Sequence, residues 1–209
     1  GIGEEAEFRY PDKMVRIGTN IYIKDDYRFR VLNPATGEVS TLQTSGASYD
    51  WIQSMTTDGT DIYFTSYVSS GNSSGYKIFK LSVADGVVSE LQTSGGSENS
   101  SSSSNIIGLA SDGTDLYVAR YTNASGSYGM APTEVSRIAL QTGTLTSYTT
   151  SGGFYLSGMS GMEKIGDSLF ASYSSSIYEI ELTNNTTSPE TWTSINNNQN
   201  GITPQLAIK

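Results

Sequence analysis

The chain has 209 residues, a formal charge of −9, only 16% charged residues, and neither Cys nor His. Without those two residue types there is no disulfide, no zinc site of nitrogen and sulfur donors, no haem ligation by His or Cys, no thiolate nucleophile and no Ser-His-Asp triad. The acidic balance lacks the basic footprint that nucleic acid and anionic membranes require, and no run approaches the roughly 20 apolar residues of a spanning helix, so neither nucleic acid nor membrane insertion is expected.

The chain opens on Gly1 rather than Met, with no charged-then-apolar leader, and the expectation is a mature exported protein, extracellular or at the cell surface. Residues 5–10 alternate (Glu5, Ala6, Glu7, Phe8, Arg9, Tyr10) and read as an outer edge strand. After them one phrase occurs four times, a tight turn followed by a β-prone run. It is Ile17-Gly18-Thr19-Asn20-Ile21-Tyr22-Ile23, then Asp58-Gly59-Thr60-Asp61-Ile62-Tyr63-Phe64, then Asp112-Gly113-Thr114-Asp115-Leu116-Tyr117-Val118, then Ile165-Gly166-Asp167-Ser168-Leu169-Phe170-Ala171. The starts are 41, 54 and 53 residues apart. A four-stranded propeller blade takes roughly 40–50 residues, so the excess of the longer units falls in loops.

A second repeat is locked to the first. Residues 27–46 align without gaps to residues 76–95, with 11 of 20 positions identical, including Leu32/Leu81, Gly37/Gly86, Val39/Val88 and the whole LQTSG ending. Residues 135–152 repeat it more loosely, with Gly143 in the turn and Thr150-Ser151-Gly152 at the end. Each unit therefore reads as four strands. The first carries Met14, Met55, Leu109 or Met162 three residues before the turn phrase, the second is the Ile-Tyr-Phe-like run, and the third is the Tyr-Arg-Phe-Arg-Val-like run. The fourth covers 38–42, 87–91, 145–148 and 191–195. The runs are rich in Val, Ile, Tyr, Phe and Thr, bounded by Gly, Asp, Asn and Ser, and no stretch keeps a 3.6-residue apolar period.

A lone four-stranded meander buries only one face, and stacking such units side by side buries both. The predicted fold is all-β, a β-propeller with four recognisable four-stranded blades in a single domain over 1–209; a β-sandwich or solenoid is the alternative. The units are 12–46, 47–95, 96–152 and 153–196, with 1–10 and 202–209 as extra edge strands; residues 202–209 resemble a first strand, with Leu206 in the Met162 position. Four blades close alone as a ring, or the ring is closed or extended by the chain ends or by a partner chain.

The phrase apolar-x-x-DGTxLYV, followed by Lys-Ile-x-Lys-Leu and Asp-Gly-x-Val, is carried by residues 55–67 with 76–91 and by 109–121 with 135–148. It resembles the NHL-like and YVTN-like propellers of exported bacterial and archaeal proteins, over most of residues 12–196. The resemblance implies a binding or scaffolding module outside the cytoplasm. Enzymatic relatives use His-ligated zinc, which this chain lacks, or a divalent-metal lactonase site with an acidic cluster, for which no matching set is present.

Two long second-to-third-strand loops, 69–75 and 122–132, and the Ser-rich connection 96–105 fall on one face of such a propeller. Aromatics near that rim are Tyr49, Trp51, Tyr67, Tyr121, Tyr128, Phe154, Tyr155 and Tyr173. The ligand-binding candidates among them are Trp51, Tyr49, Tyr128 and Tyr155, because a flat ring beside Ser and Asn suits sugars or peptides. The plainer reading makes Tyr67, Tyr121 and Tyr173 packing residues at strand ends. Asp58, Asp61, Asp112 and Asp115 read as turn chemistry. Asp25 and Asp26, between second and third strands, are the candidate metal ligands, for calcium, although calcium wants about six or more oxygens; no other cofactor is expected. Asn72, Asn99, Asn123, Asn184 and Asn185 head glycosylation sequons in predicted loops.

The first functional expectation is a non-enzymatic exported propeller, a structural, adhesive or protein-interaction module that meets cell-surface proteins or other copies of itself through its terminal strands. A glycan-binding propeller using the aromatic loop face is the alternative, and a divalent-metal-dependent hydrolase or lyase is the second.

Overall fold

A computed structural model describes residues 1–70, 73–94, 104–122, 133–148, 150–151, 159–173, 176–182, 190–191 and 193–197. The first sheet is β1 (Pro11–Ile17), β2 (Asn20–Asp25), β3 (Arg28–Asn33) and β4 (Glu38–Leu42). After a short β5 (Ser45–Gly46), the second is β6 (Ile52–Thr57), β7 (Ile62–Ser70), β8 (Ser73–Leu81) and β9 (Val87–Glu90). The third is β10 (Ser104–Ser111), β11 (Asp115–Thr122), β12 (Thr133–Ala139) and β13 (Leu145–Tyr148). Following a short β14 (Thr150–Ser151), the fourth is β15 (Met159–Ile165), β16 (Ser168–Tyr173), β17 (Ser176–Glu181) and β19 (Thr193–Asn197), with β18 (Glu190–Thr191) paired to β14. Within each of the four, neighbours are antiparallel in chain order, and the first strands β1, β6, β10 and β15 pack beside one another in that order. The chain is a four-bladed β-propeller.

Turn chemistry fixes the blades. In the second, Asp58 Oδ1 accepts from the backbone amides of Thr60 (2.8 Å) and Asp61 (2.7 Å), while Oδ2 accepts from the Tyr63 hydroxyl at 3.0 Å. The third blade copies this with Asp112, Thr114, Asp115 and Tyr117 at 2.9, 2.8 and 3.0 Å. These aspartates cap turns, as expected from residues that satisfy the backbone locally. Tyr63 and Tyr117 titrate well above the ordinary tyrosine value, raised first by burial and then by their aspartates.

The blades are glued by three apolar seams among the described residues. Tyr22 and Phe29 of the first meet Ile62, Phe64, Phe79 and Leu81 of the second. Tyr63 and Ile78 of the second meet Leu109, Leu116, Val118 and Ile138 of the third. Ala110, Tyr117 and Val135 of the third meet Met162, Leu169 and Ile180 of the fourth. Alternation along each strand sends one set of side chains to the preceding blade and the other to the following blade. Phe64 is fully buried, 5.3 Å from both Phe79 and Phe29, and burial of such a ring contributes about 1.5–3 kcal/mol.

The repeated LQTSG has a role that its sequence alone does not reveal. The link leaving each of the first three blades runs along the outer edge of the next. Ser45 pairs in parallel with Val87, Ser94 with Thr144, and Ser151 with Thr191. At the tightest crossing Gly86 (φ +72°) passes under Gln43, and a Cβ there would lie 2.1 Å from the Gln43 carbonyl oxygen. Only glycine combines that conformation with that approach.

Two expectations change. Residues 5–10 form no strand, because Asp25 draws their backbone inward (below); instead Ile2 makes one antiparallel bridge to Glu38 on the outer edge of β4, and Gly3–Glu5 is a 3-10 turn. The last strand of the fourth blade is Thr193–Asn197 rather than 191–195. Residues 202–209 lie outside the described residues. One recurring feature was not anticipated. The pairing of first and second strands slips at the same place in every blade, at Pro11/Lys13, Ile52/Ser54, Ile106/Gly108 and Met159/Gly161. A bulge adds local twist and re-aims side chains where the four strands converge.

Candidate functional site

The loop side of the first two blades holds the best-defined surface. Trp51 is 51% exposed, and its ring is gripped from within. Lys24 Nζ lies 4.4 Å from the indole centroid, and the edge of Tyr27 meets the ring at 6.3 Å and 83°. Lys24 is buried to 1% exposure, with Nζ 3.1 Å from Asp12 Oδ1. A long aliphatic stem buried along β2 thus delivers its charge beneath an aromatic face, an arrangement worth about 0.5–2 kcal/mol depending on desolvation. Tyr27 is itself 56% exposed, and Trp51 is held as a rigid platform with one side to solvent.

Beside this platform the segment before β1 is lashed to the β2–β3 turn. Asp25 Oδ1 accepts from the backbone amides of Arg9 (2.7 Å) and Tyr10 (2.8 Å), and Oδ2 is 3.2 Å from Arg30 Nη1. Asp26, at φ +59°, pairs through Oδ2 with Arg9 Nη1 at 3.0 Å. Arg30 Nη1 also donates to the Glu7 carbonyl at 2.8 Å, and its guanidinium lies 5.3 Å from the Phe8 ring. Burial pushes the Asp25 carboxyl up, but the Tyr10 and Arg9 amides and Arg30 outweigh it and hold the group below the usual carboxylate range. The lash leaves Tyr10 63% and Phe8 37% exposed, with Phe8 over the Arg30 guanidinium.

The expected site residues fare differently. Trp51 stands on the surface. Tyr49 is half-buried: its ring packs against the first seam, 5.0 Å from Phe64 and 6.1 Å from Phe29, while its hydroxyl lies 3.3 Å from that of Thr44. Tyr67 is 39% exposed and leans on Tyr76 at 5.4 Å. Tyr128, Tyr155 and Phe154, and the sequon residues Asn72, Asn99, Asn123, Asn184 and Asn185, lie outside the described residues. The carboxylates of Asp25 and Asp26 receive the donors above, and among the described residues no group of three acidic side chains gathers where a metal could be held.

Lys24, Tyr27, Arg9 and Arg30 escaped the sequence reading. Lys24 carried a signal: it falls in register with Tyr22 on the buried face of β2, where a charge needs a partner.

A second concavity lies where the first strands converge. A cavity of about 260 Å³ is bordered by Met14, Met55, Leu109 and Met162, the four residues in register before the turn phrases, and by Asp12, Lys13, Ser54, Glu163 and Ser172.

No family model matches this chain, and no curated protein does. Solved structures do. A chain in the crystal structure of a nidogen/laminin complex superposes with TM-score 0.59 at 14% identity, covering 84% of this chain and 61% of that one. TolB from Acinetobacter baumannii matches with TM-score 0.52 at 11% identity, covering 88% and 44%. Hydrazine synthase of Kuenenia stuttgartiensis matches with TM-score 0.50 at 14% identity, covering 79% and 50%. The chain spans about six-tenths or less of each neighbour's length, and at these identities the likeness is one of fold: a β-propeller.

Proposed function

We propose that this propeller is a non-enzymatic, exported protein-interaction module whose working surface is the loop side of the first two blades. The observation that carries the reading is Trp51, pinned by Lys24 and Tyr27 yet half exposed, with Tyr27 itself exposed against it. Exposed aromatics on a rigid scaffold are the usual anchors of protein interfaces, because they offer large contact area at small entropic cost. The nidogen chain, a neighbour in fold, is found in a complex with laminin, which supports protein partners in general. Export rests on the resemblance to NHL-like and YVTN-like propellers and on the weakly charged, Ser- and Thr-rich composition.

Selection of a displayed random peptide library against the intact protein tests this reading. Binders are expected to lose affinity at least tenfold to the Trp51→Ala/Tyr27→Ala double variant, while a Tyr67→Ala variant keeps them. Failure to enrich any peptide, or peptides indifferent to the double variant, overturns it.

A second reading is favoured by the same geometry. A fixed indole with one open face is a stacking platform for a sugar ring. Retention of glycans on an array by the wild type, lost on Trp51→Ala, would select it.

A further inference from the structure

The positions that fill the seams elsewhere are different where the fourth blade turns toward the first. Val15 of the first blade packs in the first seam with Met55. Thr56, its counterpart in the second blade, is buried, and Leu109 fills the second seam at 2% exposure. Ala110 packs in the third seam with Met162. Repeat register makes the next pair Glu163 and Met14. Both border the 260 Å³ cavity, and Met14 is 67% exposed, unlike Leu109 and Met162. A carboxylate thus stands where the other blades place Val, Thr and Ala, against an open thioether rather than a closed seam.

Glu163 makes no hydrogen bond or ion pair with the described residues, and burial pushes its carboxyl up. Of the other charged groups at the cavity, Asp12 is already neutralised by Lys24, and Lys13 borders the same cavity with an interaction of its own. With no group of three acidic side chains among the described residues, the cavity does not suit a metal ion. It suits a single positive charge on an apolar stem. The carboxylate supplies the counter-charge, the adaptable methionine lines the stem, and the net charge of −9 raises the local concentration of cations. We infer that the cavity beside Met14 and Glu163 binds a primary ammonium carried on an aliphatic chain. The inference is independent of the loop-face reading.

Protein labelled with methyl-13C methionine carries five probes. Titration with n-butylammonium should shift the Met14 methyl saturably, and n-butanol should not. Glu163→Gln, near-isosteric and checked for an unchanged melting temperature, should weaken the titration at least tenfold, about 1.4 kcal/mol. Met14→Lys, at an exposed position and read on the Met162 and Met55 methyls that also border the cavity, should place a tethered ammonium there and abolish their response, so the result does not rest on one variant. An N- and C-capped Gly-Lys-Gly peptide separates the sources. Tighter binding than n-butylammonium assigns the site to a partner's lysine, and weaker binding assigns it to a free amine. No saturable shift, equal response to n-butanol, or an unchanged titration in Glu163→Gln overturns the inference.

Discussion

The crossing of Gly86 beneath Gln43 allows one structural idea to be isolated cleanly. Two glycines differ in a single respect. Gly59 (φ +92°) and Gly86 (φ +72°) both hold a left-handed backbone, but a Cβ on Gly59 meets nothing within 4 Å, whereas on Gly86 it would lie 2.1 Å from the Gln43 carbonyl oxygen. Alanine at Gly59 therefore carries only the conformational cost, about 1–2 kcal/mol. Alanine at Gly86 carries that cost and also pushes the link off the outer edge of the second blade. It threatens the Ser45 amide to Gly86 carbonyl bond (3.0 Å) and the Ala47 amide to Val88 carbonyl bond (2.8 Å), each worth about 0.5–1.5 kcal/mol net. The sum is about 2–5 kcal/mol. For a chain of this length each kcal/mol moves the melting temperature by roughly 2–4 °C. Calorimetry should find Gly59→Ala about 2–8 °C below wild type and Gly86→Ala lower than Gly59→Ala by several degrees more. Gly143→Ala, whose Cβ would lie 3.0 Å from the Gln92 carbonyl oxygen, should fall between them. Equal losses at Gly59 and Gly86 would refute the role of the link as a clamp between blades.

Other outcomes are expected. Asp12→Ala strands the buried Lys24 ammonium and should cost about 1–3 kcal/mol in denaturant unfolding, whereas Lys24→Met with Asp12→Ala should recover most of it. Gln53, at the second bulge, has a buried Oε1 with no partner among the described residues, so Gln53→Met should raise stability by about 1 kcal/mol. The Asp25 carboxyl is held below its unfolded value, so its stabilisation is complete above that value, near pH 4, and is lost as pH falls through the folded one. Asp25→Asn should flatten the acid limb of the stability profile, and an unchanged limb would contradict the lash. Phe64→Leu should cost about 1 kcal/mol and Phe64→Ala about 3–5 kcal/mol, the usual range for emptying a buried ring site.

The fold was legible because its turns are written in residue types with narrow conformational uses. Asp58 and Asp112 cap their turns by side-chain acceptance from two amides each, which requires a short acceptor before Gly, and the repeat of that phrase marks blade period and register. Met14, Met55, Leu109 and Met162 were readable as one structural position and do line one cavity. What stayed hidden depended on neighbours distant in sequence. The bulge at Asp12, Gln53 and their counterparts changes pairing without a characteristic residue. The LQTSG link shows its purpose only against the next blade's Gly86 or Gly143. The sequence did not show that the ring of Tyr49 also packs against Phe29, Phe64 and Phe79. Nor did the sequence show that Asp25 and Asp26 accept hydrogen bonds from a segment some fifteen residues earlier.

The central claim is that the loop side of the first two blades is the binding surface. Hydrogen exchange on the intact protein, with and without a saturating library-selected peptide, tests it most directly. Protection concentrated in residues 8–10, 24–28 and 47–52, around Trp51, is the expected result. Protection confined to the opposite turns, around Asp58 and Asp112, would contradict it.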